Sequence, residues 1–412
     1  MPIRRILLAL PLAGLSLIAH AEPLSFNAAL DLAERQSPNL AASNAQLDAS
    51  RSAAIPAGAL PDPKLITGVD NYPVSGMDGG HLKRDFMTMQ KIGLMQEVPN
   101  ADKRRAREDV AAADIEASAA RREVSRLQVR RDTAIAWLNR YYLERKLDLF
   151  TQLERENRTL DDAVRAQIAG GRSPVADAVI PKQEAARLAD RQDDLSRDLA
   201  KARAALRRQI GSAGDDVLIG DAPAWPIDAN HFHQHLQRHP ELQASAADVQ
   251  RAAAEVREAD AGKKSDWGVE VAYQKRAPEF GDMVSVQFTF DLPVFTARRQ
   301  EPQAAAKRAE LDRAEAERDD MLREHVNQLD NDLADYAALE RQLDRAENTS
   351  LPLASQKVDL LTAGYKAGRV DLSSVIAARR ELIDEHLRLI DLQRQRAITA
   401  AQLHFAYGDE TQ

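Results

Sequence analysis

The chain carries an internal duplication. Gly171 and Gly368, Arg172 and Arg369, Leu206 and Leu403, and Gly211 and Gly408 each stand 197 positions apart. The last two pairs belong to matching Leu-x-x-x-x-Gly segments, Leu206 to Gly211 and Leu403 to Gly408. Earlier landmarks keep their order while the offset drifts: Ser37-Pro38-Asn39-Leu40 faces His239-Pro240-Glu241-Leu242, and Val98-Pro99 faces Leu292-Pro293. Insertions in the loops between two copies leave such a drift. Each copy reads as an amphipathic helix, two strands, a very long helix, a glycine turn and a shorter returning helix, and a repeated plan dictates architecture more tightly than any single motif. The predicted organisation is a first structural repeat at 22–211, a linker at 212–228 marked by Gly214, Gly220, Pro223 and Pro226, and a second repeat at 229–412.

The segment before the first repeat has the form of a secretory signal, residues 1–21. Arg4 and Arg5 supply the charged region, Ile6 to Ile18 the apolar run, and Ala19-His20-Ala21 the small-residue cleavage site. The apolar run is short for a bilayer span, and no later segment reads as a transmembrane helix. The sequence has no cysteine, so disulfides, thiolate metal ligands and a lipidated N-terminal Cys drop out. Export without such an anchor leaves the periplasm, the outer membrane or the medium of a bacterium. A net charge of −8 argues against nucleic acid as a partner. Abundant Ala, Leu, Arg, Glu and Asp with 5% aromatic residues is the composition of long helices.

Helix is predicted from Ser25 to about Ala54, with Ser25 as N-cap and Pro38 as an interruption, and its copy from about Asp228 to Ala261. Strands follow. In the second copy Trp267, Val269, Val271 and Tyr273 alternate with polar or small residues, and after a loop Val284, Val286, Phe288, Phe290 and Leu292 do the same. Period two over both segments predicts one apolar and one wet face. Each segment has about the length of a tilted outer-membrane strand, with Trp267 and Tyr273 near the ends where aromatic girdles sit. The first copy is weaker: Leu65, Thr67 and Val69, then Phe86, Thr88, Gln90, Ile92 and Leu94, blurred by Met87, Met89 and Met95. A soluble β-subdomain with one buried face is the competing reading, but a lone hairpin is marginal in water.

Ala101 to Ile168 and Pro302 to Ala367 contain no evident helix breaker. At 1.5 Å per residue each is a helix of about 100 Å. Leu322, Val326, Leu329, Leu333, Tyr336 and Leu343, with Glu340 at the missing heptad position, form a packing seam. Each long helix turns at Gly171 or Gly368 and returns, which makes an antiparallel helical hairpin. Four strands cannot close a barrel, and open strand edges in hydrocarbon cost several kcal/mol per unsatisfied group. Closure therefore calls for several chains: two would give eight strands and three twelve.

In this order and in duplicate, these features resemble the TolC-type outer-membrane efflux proteins. The resemblance rests on the entry helix Ala-Leu-x-x-Ala with Pro-x-Leu (Ala29 to Leu40, weaker near Leu236 to Leu242), on Pro99 and Pro293 between strand and long helix, and on the Ala-Gly-Gly-Arg and Ala-Gly-Arg tips. It covers nearly the whole mature chain. It implies a mainly α fold with a membrane β-barrel, in which duplicated long helical hairpins of a homotrimer form an α-barrel tunnel and four strands per chain complete a shared twelve-stranded β-barrel. It also implies an exit duct that docks onto a periplasmic adaptor (membrane fusion protein) and an inner-membrane RND-type pump. The compact length looks most like the branch serving cobalt, zinc, cadmium or copper pumps.

No catalytic constellation or phosphate loop is present, so neither an enzyme nor a cofactor is expected. In the family, carboxylates at the closed tunnel end lie six residues after the first tip glycine, and six and nine after the second. Asp177 matches the first position; Ser374 and Ala377 depart from the others, with Asp371 nearby. Gly171, Arg172, Gly368 and Arg369 are the expected adaptor contacts, against a simpler role for the arginines as helix C-caps. His231 with His235, or His235 with His239, have metal-ligand spacing on a helix, without an evident carboxylate partner. Two other classes compete. A periplasmic coiled-coil adaptor would need a lipoyl-like and β-barrel module around one helical hairpin, and a secreted structural coiled coil leaves Val284 to Leu292 unexplained.

Overall fold

The structure is a computed structural model that describes residues 23–408. The predicted signal segment lies outside the described residues. Element order is α1 (Phe26–Gln36), α2 (Pro38–Ala54), β1 (Lys64–Asp70), β2 (Met89–Val98), α3 (Ala101–Ala169), α4 (Ile180–Ile210), α5 (Ala229–His235), α6 (Pro240–Ala261), β3 (Trp267–Lys275), β4 (Met283–Phe290), α7 (Gln300–Arg345), α8 (Leu351–Lys366) and α9 (Leu372–Tyr407). Among the described residues no helix is long and apolar enough to cross a membrane. The chain falls into two compact units. One gathers the described residues up to Arg35 with Thr133–Pro223, the other Gln36–Asp132 with the described residues from Ala224 onward.

In the first unit, Phe26, Ala29, Leu30 and Ala33 of α1 are buried, as their one-stripe spacing requires. Phe26 meets Trp137 of α3 edge-on at 5.4 Å, and Trp137 stacks on Tyr141 at 5.1 Å. Arg140 is buried beside them. Its guanidinium donates to the Gly214 and Asp216 carbonyl oxygens at 2.8 and 2.7 Å and pairs with Glu144 at 2.9 Å. A buried cation needs such a full set of acceptors, and here it pins the loop after α4 to α3. Along α4 the buried residues Leu188, Leu195, Leu199, Ala202, Leu206 and Ile210 recur at helical spacing. Near the far end Asn157 of α3 donates to the Pro181 carbonyl oxygen at 3.0 Å.

The break at Pro38 falls where the sequence predicts. Ser37 caps α2, its hydroxyl accepting from the Leu40 N–H at 3.3 Å, and Pro38 takes the first helical position, where a missing N–H costs nothing. His239 and Pro240 repeat the device at the start of α6.

In the second unit α6 packs along α7, and α7 and α8 pack on α9. Phe232, Leu236, Leu242, Leu329, Leu403 and Tyr407 form a buried cluster, with Leu322, Leu333 and Tyr336 against it. The predicted seam is therefore real at Leu329 and Leu343, but Val326 is 37% exposed and the neighbouring His325 turns inward in its place. The second long helix is also not one uniform rod. Between α7 and α8 the residues Ala346–Ser350 form a π-helical turn. Pro352 follows it and offers no N–H to the carbonyl of Asn348, while its ring crowds that carbonyl; a widened turn relieves both. The first long helix, α3, runs unbroken for 69 residues.

All four strands form one antiparallel sheet in the order β1-β2-β3-β4, two strands from each copy of the plan. Pairing puts Leu65 opposite Leu94, Leu94 opposite Val271, and Val271 opposite Val286. At the centre Gly93 faces Ala272, where an added Cβ would lie 2.7 Å from the alanine methyl and 2.9 Å from the Val271 oxygen; only a glycine allows β2 and β3 this close.

Candidate functional site: an uncovered apolar sheet face and two helical tips

Register decides which side chains share a face, because directly paired residues point the same way. Trp267 pairs with Phe290, Val269 with Phe288, Val271 with Val286, and Tyr273 with Val284. Ile92 and Leu94 of β2 pair with Tyr273 and Val271, so the alternation predicted for β3 and β4 extends across the sheet. This apolar face is uncovered: Val284 is 68%, Val286 56%, Phe288 58% and Phe290 63% exposed. The opposite face is polar and more shielded, with a Lys91–Glu270 ion pair at its middle and Lys64–Glu97 at its edge. Phe86 and Thr88, read as part of the second strand, precede it; Thr88 instead donates its hydroxyl to the Asn71 carbonyl oxygen at 3.1 Å.

Such a face is the reverse of a soluble sheet, which turns its apolar side to a core. Each of these side chains forgoes about 1 kcal/mol or more of burial in water. β1 and β4 are the sheet's two edges, and among the described residues neither has a second neighbour.

The tips have one geometry twice. At the end of α3 Gly171 adopts φ 69°, its N–H bonds the Ile168 oxygen at 3.0 Å, and the Arg172 N–H reaches back to the Gln167 oxygen at 2.8 Å. At the end of α8 Gly368 adopts φ 70°, its N–H bonds the Tyr365 oxygen at 2.9 Å, and the Arg369 N–H the Gly364 oxygen at 2.9 Å. Both are Schellman closures with glycine in the left-handed position. The two arginines take part through their backbone N–H groups.

Asp177 is half-buried in a short 3₁₀ turn, Val175–Val179, before α4, and its N–H bonds the Pro174 oxygen at 3.0 Å. Asp371 is the N-cap of α9: its carboxylate accepts from the Ser374 N–H at 2.7 Å and from the Ser373 hydroxyl at 2.8 Å. Bonding to Ser374, then Ser373, holds that carboxyl below the ordinary carboxylate range. Sequence spacing cannot tell such a cap from a tunnel-lining acid. Asp177 belongs to the first unit and Asp371 to the second.

The histidines divide. The rings of His231 and His235 of α5 meet at a tilt of 40° with centroids 4.1 Å apart, and His235 bonds the His231 carbonyl oxygen at 2.9 Å. His239 packs against His325 of α7, also at 4.1 Å. Burial, then the neighbouring His325, pulls His239 down to about 4, so its ring is neutral near neutral pH. The bond from His325 holds the Glu241 carboxyl below its ordinary range. Spacing alone does not single out Glu241 or His325, since one hides in the Pro-x-Leu motif and the other beside the seam.

Comparison with known proteins supplies the family. The model of the family OEP, outer membrane efflux protein, matches residues 29–212 and again residues 232–409. Among curated proteins none matches the chain in sequence. Among solved structures, the outer membrane protein VceC from Vibrio cholerae superposes with a TM-score of 0.77 at 19% identity, over 94% of this chain and 97% of VceC. A membrane protein from Pseudomonas aeruginosa gives 0.81 at 18% identity, over 93% and 90% of the two chains. The open state of the Neisseria gonorrhoeae MtrE outer membrane channel gives 0.75 at 15% identity, over 93% and 88%. At these identities the likeness is one of fold: long helical hairpins joined to a four-stranded sheet. With the family model matched twice, along both copies of the plan, the chain belongs to the outer membrane efflux protein family.

Proposed function

We propose that the chain is the outer-membrane exit duct of a tripartite efflux system, a homotrimer that passively conducts what an inner-membrane RND-type pump delivers through a periplasmic adaptor. The observation that carries this reading is the uncovered apolar face of Trp267, Val271, Val286, Phe288 and Phe290 on a sheet with two open edges. Lipid would cover the face, and sister subunits joined β4 to β1 would remove the edges. Three chains give a closed twelve-stranded wall whose inner side carries Lys91 and Glu270. Transport energy would come from the pump. The adaptor reading finds no support, since it needs a lipoyl-like module around one hairpin, whereas this chain has two hairpins and a single open sheet.

Fractionation tests the proposal directly. The protein should sediment with outer membranes and run as an oligomer on SDS gels unless boiled. A monomer in the soluble periplasmic fraction would overturn it.

The helical hairpins would form the periplasmic tunnel, with Gly171, Arg172, Gly368 and Arg369 as adaptor contacts and Asp177 as a ring at the closed end. Three carboxylates about 8 Å apart repel pairwise by roughly 0.5 to 2 kcal/mol for effective dielectrics between 80 and 20. A ring of this kind favours cations. Asp177→Ala should therefore lower the cation preference of single channels in planar bilayers, and unchanged selectivity would remove Asp177 from the gate. Asp371, engaged as a helix cap, is the weaker gate candidate.

Heavy-metal cations are the cargo we assign, on the compact length of the chain and its likeness to that branch. A deletion strain should become sensitive to zinc, cobalt, cadmium or copper; sensitivity confined to dyes and antibiotics would move the chain to a drug-exporting branch.

A further inference from the structure

We infer that His239, Glu241 and His325 form a binding site for one divalent transition-metal ion of the zinc, cobalt or nickel class, held between the start of α6 and the middle of α7. Among the described residues, these are the three metal-ligating side chains that converge, with one ligand atom of each within 4.8 Å of the others. His325 Nε2 lies 3.1 Å from Glu241 Oε2. A tetrahedral ion with bonds of about 2.0–2.1 Å holds its ligand atoms roughly 3.4 Å apart. One edge of that tetrahedron is thus already near its length, and the others close by side-chain rotation of up to roughly 1.4 Å.

The donor set fits the ion class. Two imidazoles and one carboxylate suit borderline divalent cations, and three protein ligands leave a position for water. The framework is stiff where it needs to be. His239 and Glu241 flank Pro240, whose ring fixes the backbone between them, and α6 packs along α7. Tyr407 of α9 closes one side, its ring 5.5 Å from His239 and its hydroxyl donating to the His325 carbonyl oxygen at 3.4 Å. Glu241 also lines a cavity of about 460 Å³ with Ser245, Glu317 and the ion pair of Asp248 with Arg121, which gives a cation an approach to the Glu241 carboxylate.

Two features oppose binding and are small. The His239 Nδ1 accepts the Glu241 N–H at 3.2 Å as a helix cap. An ion on Nε2 requires the proton on Nδ1, and an ion on Nδ1 displaces that N–H, so either route gives up one long hydrogen bond. Arg131 places a positive charge nearby, though it is paired with Asp132 at 3.4 Å. The Glu241 carboxylate is the charge in direct contact with the ion.

This site is independent of what the duct carries, and binding to the purified full-length chain reads it without transport. Metal-free protein in detergent is titrated with Co(II), followed by its visible absorption bands, and with Zn(II) by calorimetry. We expect one ion per chain, with the intense visible bands of a four- or five-coordinate cobalt. Asn is a good helix cap with no imidazole, so His239→Asn removes the ligand and keeps the start of α6. This change and His325→Gln should each weaken binding by about 100-fold or more, with circular dichroism and thermal midpoint of the metal-free protein unchanged. The double variant His231→Ala/His235→Ala should bind as the parent does. A rise of the thermal midpoint on adding Zn(II), absent in His325→Gln, supplies a second readout should a variant fold poorly. No bound ion in the parent, or undiminished binding in both His239→Asn and His325→Gln, overturns the site.

Discussion

Val286→Arg should abolish assembly of the outer-membrane oligomer, while Gln287→Arg, one residue along the same strand, should leave it intact. The two positions differ in face alone. Val286 is in the middle of β4, paired with Val271 on the apolar side, and 56% exposed in the single chain. Gln287 pairs with Glu270 on the polar side, where an arginine gains a carboxylate opposite it. On the lipid face near the bilayer midplane an arginine costs about 2–4 kcal/mol, and the cost recurs in every subunit of the ring. On a wall facing water the same side chain is close to neutral. Membrane fractions and unboiled SDS gels of both variants read the result. Equal tolerance of the two would mean that the face of Val286 is not against lipid. Equal failure would mean that β4 is packed on both sides.

That contrast was readable in the sequence because side-chain period is tied to strand geometry and β3 and β4 keep it without a lapse. In β2 the methionines at 89 and 95, and Met87 just before it, fit either face, so only the pairing of Met89 with Asp70 of β1 shows where the strand begins and why Phe86 lies outside it. The tips were readable for a similar reason: a left-handed helix closure admits little besides glycine, and two such glycines at one offset mark two hairpins. Other features depend on contacts that no period carries. Heptad spacing favours Val326, yet His325 faces inward because His239 and Glu241 wait there from a segment more than eighty residues earlier. Asp371 has the composition of a gate residue and the geometry of a cap, and only the Ser374 N–H distinguishes them. Pro352 sits in an unbroken helical pattern, and a π turn rather than a break absorbs it. Arg140, buried among backbone carbonyls, resembles any other arginine in a charged helix until the loop at Gly214 folds over it.

Gly368→Val should eliminate efflux while the oligomer still forms, and Gly368→Asn should retain it. At φ 70° an L-residue is strained by about 1–2 kcal/mol, and a β-branched one by more, whereas asparagine enters this region readily. Space around Gly368 is open, so the penalty belongs to the backbone and not to a collision. Set against the 5–15 kcal/mol that holds an ordinary domain together, it is too small to unfold the chain. The backbone can relieve the strain only by leaving the left-handed region, which breaks the bonds from the Gly368 and Arg369 N–H groups and swings Arg369 away from the helix end. The turn has little slack to absorb this, since Gly364 already lies so close to Val370 that an added Cβ would meet its methyl at 2.7 Å. Metal or dye tolerance of a complemented deletion strain reads efflux, and cross-linking to the adaptor reads docking. Loss of both in the valine variant with recovery in the asparagine variant identifies the Schellman tip as the docking element. Full efflux in Gly368→Val would release the tip from that role and send the search for the adaptor contact to the helix flanks.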